Sequence, residues 1–405
     1  MEYPEIRNIE AFPVQDQGRD LIGIRDPSNL TDKILFISQP AFFILSLFDG
    51  KHSIVDIQAK FMRRYGEMLF TEQITEIVSS MDENLFLESG NFHAHKERVE
   101  NEFLGSPVRR PLMELKGIKQ TPEEARKEIE GCFTAEGGPG LPNGDGRAKD
   151  VVGAILPHID YRRGGVCYAW GYKEIVERTD AALFIIFGTH HSCAEGIFTL
   201  TKKDFATPFG VVQTDKRFIE GLERRVSWDL FAGEFGHRNE HSIELQATFL
   251  HGVLGEKRRF TIVPVLCGPA PAEDGNNAGG QNQMFWEFIN AVRETVRERG
   301  EKVFFIASAD LSHMGPQFGD RELMTIDRLK LLEERDRATL SYVERADGDG
   351  FYRDVTKDGN QRKICGLYNI HALLKVMDTR GGTLIRYDMW PDEKGTVTFA
   401  SVVFT

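Results

Sequence analysis

The chain has 405 residues, 41% of them hydrophobic, and a formal net charge of −12. That length suffices for two or three domains, and the acidic balance speaks against nucleic acid or a membrane surface as a partner, because both are polyanionic. No apolar run reaches about 18 residues and the N-terminus lacks a basic-then-apolar stretch, so neither a membrane span nor a signal peptide is expected. Five scattered cysteines (Cys132, Cys167, Cys193, Cys267 and Cys365), never in a C-x-x-C pair, point to reduced thiols and a cytoplasmic location.

Residues 1–90 read as a small separate domain. Ile34–Ile37 forms a short apolar strand, and the apolar block from Pro40 to Phe48 forms a helix stopped by Asp49-Gly50. Ser53 caps a second helix that runs to Tyr65, and Thr71 caps a third. Asn84–Leu87 supplies a trailing apolar strand, which gives a winged-helix shape. DNA binding would need a basic recognition face, yet residues 1–100 carry 10 Lys/Arg against 17 Asp/Glu. Residues 91–150 link this domain to the rest. Within them, Thr121-Pro122-Glu123-Glu124 is a strong helix start. The glycine-rich stretch from Gly137 to Gly146 reads as a turn-rich connection, since it lacks the Lys-Ser/Thr of a phosphate loop.

Residues 151–405 form the third part. From Val151 on, apolar runs alternate with helical patterns: strands at 151–156, 182–187, 260–267 and 303–307, and helices near 164–177, 215–225, 241–253 and 283–299. That alternation predicts an α/β fold with a mainly parallel sheet and helices on both faces. A helix at 366–378 and strands at 383–389 and 396–404 follow, the last alternating as an edge or antiparallel strand would.

Three of the apolar runs end in histidine: Pro157-His158, Gly188-Thr189-His190-His191, and Ser308-Ala309-Asp310-Leu311-Ser312-His313. Ligands of open α/β sheets bind beyond the carboxyl ends of the strands. Three imidazoles meeting there suit a transition metal; three unrelated loop residues are the alternative. His191 is expected to point away from His190, as a substrate contact, a supporting donor or a solvent-facing group. Cys365 opens a helix whose amides would stabilise its thiolate, although a buried structural cysteine is more common. Asp310 could orient an imidazole, ligate, accept a proton or cap a helix. Glu240, His241 and Glu244 bring a possible acid–base group close to the pocket. No H-E-x-x-H, nucleophile elbow or strand-following G-x-G-x-x-G occurs, which argues against a metalloprotease, a serine hydrolase and an NAD enzyme.

Seven blocks in order carry a family resemblance. They are Pro157-His158-Ile159-Asp160-Tyr161, Gly188-Thr189-His190-His191-Ser192, Thr207-Pro208-Phe209-Gly210, Glu240-His241-Ser242-Ile243-Glu244, Val263–Gly268, Ser308–His313 and Ile364-Cys365-Gly366. Together they resemble the Memo family, from about residue 105 to the end. The resemblance implies a fold similar to LigB-type class III extradiol dioxygenases and one transition-metal ion, Fe or Cu first and Zn next. His158, His190, His313 and Cys365 would be its ligands. His241 and Asp310 are then the catalytic candidates, and Asp160, Tyr161, His191 and Glu240 contact substrate or support the ligands. Asp160 stands where the family usually has Gly, and Ala309 where it usually has Ser. The stretch Ile34–Leu87, especially Leu47–Ile57, resembles PqqD-like domains, which implies an edge strand that captures an extended peptide; a docking or dimerisation module is the alternative. The family's AmmeMemoRadiSam gene neighbourhood implies a radical-SAM or peptide-modifying partner. The leading expectation is Fe- or Cu-dependent redox chemistry on a small molecule or peptide. A non-catalytic peptide or phosphopeptide binder and a ring-cleaving dioxygenase are the alternatives.

Overall fold

Local capping chemistry sets most helix starts. The structure, a computed structural model, describes residues 1–16, 18–115, 117, 119–144, 148, 150–192, 196–268 and 283–405. Cys193 and part of the glycine-rich stretch, Asp145 and Gly146, lie outside the described residues. Two compact units emerge, Met1–Gly105 and Ser106–Thr405.

In the first unit, strands β1 (Glu10–Asp16), β2 (Arg19–Arg25) and β3 (Ile34–Ile37) form an antiparallel sheet in that order. Four helices follow: α1 (Gln39–Leu45), α2 (Ile54–Tyr65), α3 (Thr71–Glu83) and α4 (Gly90–Gly105). Ser53 caps α2 as expected, its Oγ accepting the Asp56 N–H at 3.2 Å while Asp56 accepts the Ser53 N–H at 3.0 Å. The sequence reading placed Thr71 as the cap of α3; the cap is Phe70, whose N–H Gln73 accepts at 2.9 Å. The trailing strand at Asn84–Leu87 reduces to one bridge, Leu87 to Ile6. Helix α4 falls in the expected linker, yet belongs to this unit. The Arg7 guanidinium lies 3.7 Å from the Phe92 ring centroid, and His95 Nε2 donates to the Leu30 carbonyl at 2.8 Å.

The second unit opens with β4 (Val108–Arg109), α5 (Leu112–Leu115) and α6 (Pro122–Thr134), followed by β5 (Gly153–Leu156), α7 (Tyr161–Arg178) and β6 (Leu183–Thr189). Next come β7 (Phe198–Leu200), β8 (Asp204–Thr207), β9 (Gly210–Thr214), α8 (Lys216–Glu223), α9 (His241–Leu254), β10 (Thr261–Cys267) and α10 (Gln283–Arg299). The chain ends with β11 (Val303–Ser308), β12 (Asp310–Met314), α11 (Ile326–Glu344), α12 (Gly348–Thr356), α13 (Leu367–Val376), β13 (Gly382–Trp390) and β14 (Thr396–Phe404). The sheet runs β12-β14-β5-β11-β6-β10-β9-β8-β4, with β13 beside β14 and β7 beside β10. Its centre, β5-β11-β6-β10, is parallel. This is the α/β architecture that the alternation predicts.

Alternation along β6 shows why these strands read as continuous apolar runs. Leu183, Ile185 and Phe187 join one core with Phe218, Phe288 and Leu373, whereas Phe184 and Ile186 join another with Tyr168, Tyr172 and Phe249. Both faces are covered, so no polar residue can alternate. Of the two expectations for the last strand, antiparallel holds and edge does not: β14 pairs antiparallel with β13, β12 and β5, and every residue is buried. Among the described residues, no helix is long and apolar enough to cross a membrane.

Candidate metal centre

Strand β5 delivers His158 to the carboxyl end of the sheet. Its backbone N–H donates to Asp310 Oδ1 at 2.9 Å, and its ring Nδ1 lies 2.9 Å from the Ser308 carbonyl. A carbonyl only accepts, so Nδ1 carries the hydrogen and Nε2 is left as a donor atom for a cation. That Nε2 lies 3.2 Å from Cys365 Sγ and 3.6 Å from Asp310 Oδ2.

Strand β6 ends in the His190-His191 pair, whose two rings diverge. His190 N–H donates to the Cys267 carbonyl at 3.0 Å, which carries its ring away; the ring is buried against Gly236, where an added Cβ would strike it. His191 turns inward instead. Its N–H donates to Glu240 Oε2 at 3.0 Å, and its Nδ1 lies 3.1 Å from both oxygens of that carboxylate. The donor atoms of His158, His191 and Cys365 all lie within 4.8 Å of one another. His190, the expected ligand, is not in the group. The physical reason is Glu240, buried at the N-cap of α9, which takes the second histidine rather than the first.

His313 also falls outside the group. It belongs to β12, an antiparallel strand that the sequence reading merged with the end of β11, and its Nδ1 lies 3.1 Å from the Leu311 and Lys363 carbonyls. Asp310 is a β12 residue, not a helix cap. His241 stands at the rim, half-exposed, stacked on His191 at 4.9 Å and edge-on to His158 at 5.4 Å. Asp160 faces away from the centre: it caps α7 and binds Arg163 Nε at 2.7 Å. Tyr161 donates to the Leu245 carbonyl and packs on Tyr168 and Phe249 in the core. Glu244 is the ion-pair partner of the fully buried Arg109, not an acid–base group of the pocket.

The family profile described as Memo-like protein matches residues 109–403, nearly the whole second unit. The chain belongs to the Memo-like family. A MEMO1 family protein of Methanopyrus kandleri is 30% identical over 297 residues, 70% of this chain and 94% of its own length. One from Aquifex aeolicus is 25% identical over 408 residues, 99% of each chain, and so matches the first unit as well. A solved structure, the uncharacterized protein JW3007 from Escherichia coli K12, aligns with 63% of this chain and all of its own at 14% identity and a TM-score of 0.35, too low a likeness to carry an argument.

Electrostatics in the Memo-like centre follow from burial set against charge. Burial pushes the Cys365 thiol up, but the charge and hydrogen bond of His158, the hydrogen bond of His191 and the charge of His313 outweigh it and bring the thiol down to about 5. Burial pushes His158 down, while Cys365 and Asp310 carry it up to about 9. His191 is likewise lowered by burial, then raised to about 10 by its hydrogen bonds to Cys365 and Glu240. Partial desolvation lowers His241 despite Glu240, so it is neutral at pH 7. One thiolate and two imidazoles, each with its Nδ1 engaged elsewhere, make a donor set that fits a transition metal.

Several supporting residues of the Memo-like centre escaped the sequence reading. Gln246 Nε2 donates to the Pro157 carbonyl at 2.7 Å and to Ser308 Oγ at 2.8 Å, and Ser308 Oγ donates to the Ser242 carbonyl at 2.6 Å. Asn369 donates to Thr189 Oγ1 at 3.0 Å and to the Ser308 carbonyl. Arg109 Nη2 donates to the Glu240 carbonyl at 2.8 Å and so pins the start of α9. Gln246 and Asn369 had a visible signal: each is a polar residue on the apolar stripe of its helix.

Proposed function

We propose that this Memo-like chain is a mononuclear metalloprotein in which His158, His191 and Cys365 hold one iron or copper ion, with redox activity on a small molecule or peptide. The observation that carries this reading is the 3.2 Å approach of His158 Nε2 to Cys365 Sγ, with His191 in the same group. Thiolate and imidazole together suit Cu, Fe and Zn better than Mg or Ca. A bound iron or copper supplies one-electron exchange with the substrate. The chain's own residues do the rest. Ser308 and Glu240 fix the ring orientations, Asp310 places a carboxylate beside His158, and neutral His241 at the rim can accept a hydrogen bond from an entering substrate.

The first unit fits peptide capture. Strand β3 is an edge of its sheet and exposes Ile34 and Phe36, at 48% and 56%, the kind of edge that takes an added strand. We assign to it the presentation of a peptide substrate and, with a cytoplasmic location, a radical-SAM or peptide-modifying partner. Metal analysis of protein purified without added metal tests the centre. We expect about one ion per chain in the wild type and a small fraction of that in Cys365→Ser and His158→Ala. Equal content in all three would falsify the assignment.

Ring cleavage is the second reading. His191, Glu240 and His241 form a neighbouring donor group of two imidazoles and one carboxylate, the composition of non-haem oxygenase sites. Its carboxylate is already engaged, however, by the His191 ring and N–H and by the Ser242 N–H at 2.9 Å. A panel of catechols giving no coloured product dismisses this reading.

A further inference from the structure

Cys365 sits on an irregular segment, residues 359–366, with no strand or helix to hold its sulfur in place. Two non-glycine residues there, Asn360 at φ 56° and Lys363 at φ 53°, occupy the left-handed region, a conformation that persists only where the surroundings over-determine it. Asn360 supplies part of that constraint: its Oδ1 accepts the Ile364 N–H at 2.9 Å and its Nδ2 donates to the Ile364 carbonyl at 3.1 Å. Gly366 lets the segment close onto the sheet, donating to the Asp310 carbonyl at 3.1 Å where a Cβ would meet Ala309.

Arg362 supplies the remainder. Its buried guanidinium donates to Asp336 Oδ1 at 2.7 Å and to Thr339 Oγ1 at 2.8 Å, with Asp354 at 3.7 Å. Asp336, buried on α11, also accepts from Ser312 Oγ at 2.6 Å, from Tyr387 OH at 3.1 Å and from Thr398. One carboxylate thereby joins α11, β12, β13 and β14 to the Cys365 segment. The segment in turn holds His313, whose N–H donates to the Arg362 carbonyl at 2.7 Å and whose Nδ1 lies 3.1 Å from the Lys363 carbonyl.

We propose that the Arg362–Asp336 pair is the positioning device of this centre, setting the Cys365 sulfur against the His158 ring and His313 beside it. Neither residue is among the donor atoms; both act through the segment, and the inference rests on the metal-centre reading above. Removing the guanidinium leaves Asp336 its three hydroxyl donors, so α11, β12, β13 and β14 stay tied. The Cys365 segment loses its side-chain tie to α11 and keeps only the Asn360 bonds and its backbone contacts to β12. The effect is therefore expected at the thiol rather than throughout the fold.

The test uses the full chain as wild type, Arg362→Met and Arg362→Lys, with two readouts. The first is Co(II) affinity together with the intensity of the thiolate-to-Co(II) absorption band. The second is the alkylation rate of Cys365 in metal-free protein, followed by peptide mapping. Arg362→Met is expected to weaken Co(II) binding by about ten-fold or more and to diminish the band, with Arg362→Lys intermediate. Affinity and band within about two-fold of wild type overturn the proposal. Should wild type itself take up no Co(II), the metal reading fails while alkylation still decides positioning: a change of about five-fold supports it, and an unchanged rate overturns it. If Arg362→Met does not fold, Thr339→Val removes one arm of the fork, and the same two readouts decide.

Discussion

The two imidazoles of the centre are held in contrasting ways. The ring of His158 is fixed by backbone, its Nδ1 meeting the Ser308 carbonyl of the neighbouring strand, while its N–H donates to the Asp310 carboxylate. His191 is fixed by a side chain, the buried carboxylate of Glu240, 49 residues away in sequence. A carbonyl in a parallel sheet cannot be mutated away, whereas a carboxylate can. The orientation of the His158 ring is therefore robust to mutation, and that of the His191 ring depends on a single side chain. The second arrangement also carries charge, since Glu240 stabilises a proton on His191 that a metal ion has to displace.

The contrast is sharpest in the adjacent histidine pair. His191→Ala is expected to weaken metal binding by about a hundred-fold, while His190→Ala changes it by less than about three-fold; competition with a chromophoric chelator measures both. A reversed order would return the ligand role to His190. Next in size is Glu240→Ala, which frees the His191 ring and should cost about ten- to a hundred-fold in affinity, with Glu240→Gln milder because the amide oxygen still accepts.

A pH series probes the charged half of the site. At pH 7 the metal-free protein holds protons on His158, raised to about 9, and on His191, raised to about 10, while Cys365, lowered to about 5, is already thiolate. Binding must expel the imidazole protons, so affinity rises from pH 7 towards 9 and falls again below about 5 as the thiol protonates. Calorimetry in buffers of different ionisation enthalpy counts the released protons; finding none would contradict the imidazolium–thiolate description. The smallest effect belongs to Asp160→Ala. It removes only an exposed helix cap, so we expect about 1 kcal/mol of lost stability in urea unfolding and unchanged metal binding.

The parallel core was legible because strands buried on both faces read as uninterrupted apolar runs, and the histidines at their ends pointed to the carboxyl edge of the sheet. The strand-end pattern pointed to His158 and the family blocks added Cys365, and the two side chains approach to 3.2 Å. Which of His190 and His191 turns toward Cys365 was not legible, because strand alternation says only that the two diverge; the contact that holds the His191 ring comes from Glu240 across the fold. Strand β12 was hidden because Ser308–His313 looks like a loop until β14 returns to pair with it. The β1–β2 hairpin was missed for a related reason: its residues are mostly exposed or half-buried, so no apolar alternation announces it.

The central assignment is open to one direct measurement, an anomalous-scattering map from crystals of the protein purified without added metal, collected at the absorption edge of the ion found by elemental analysis. We expect a single peak bonded to His158, His191 and Cys365. A peak ligated by His190, or a centre empty of anomalous signal in protein that carries stoichiometric metal, would contradict it.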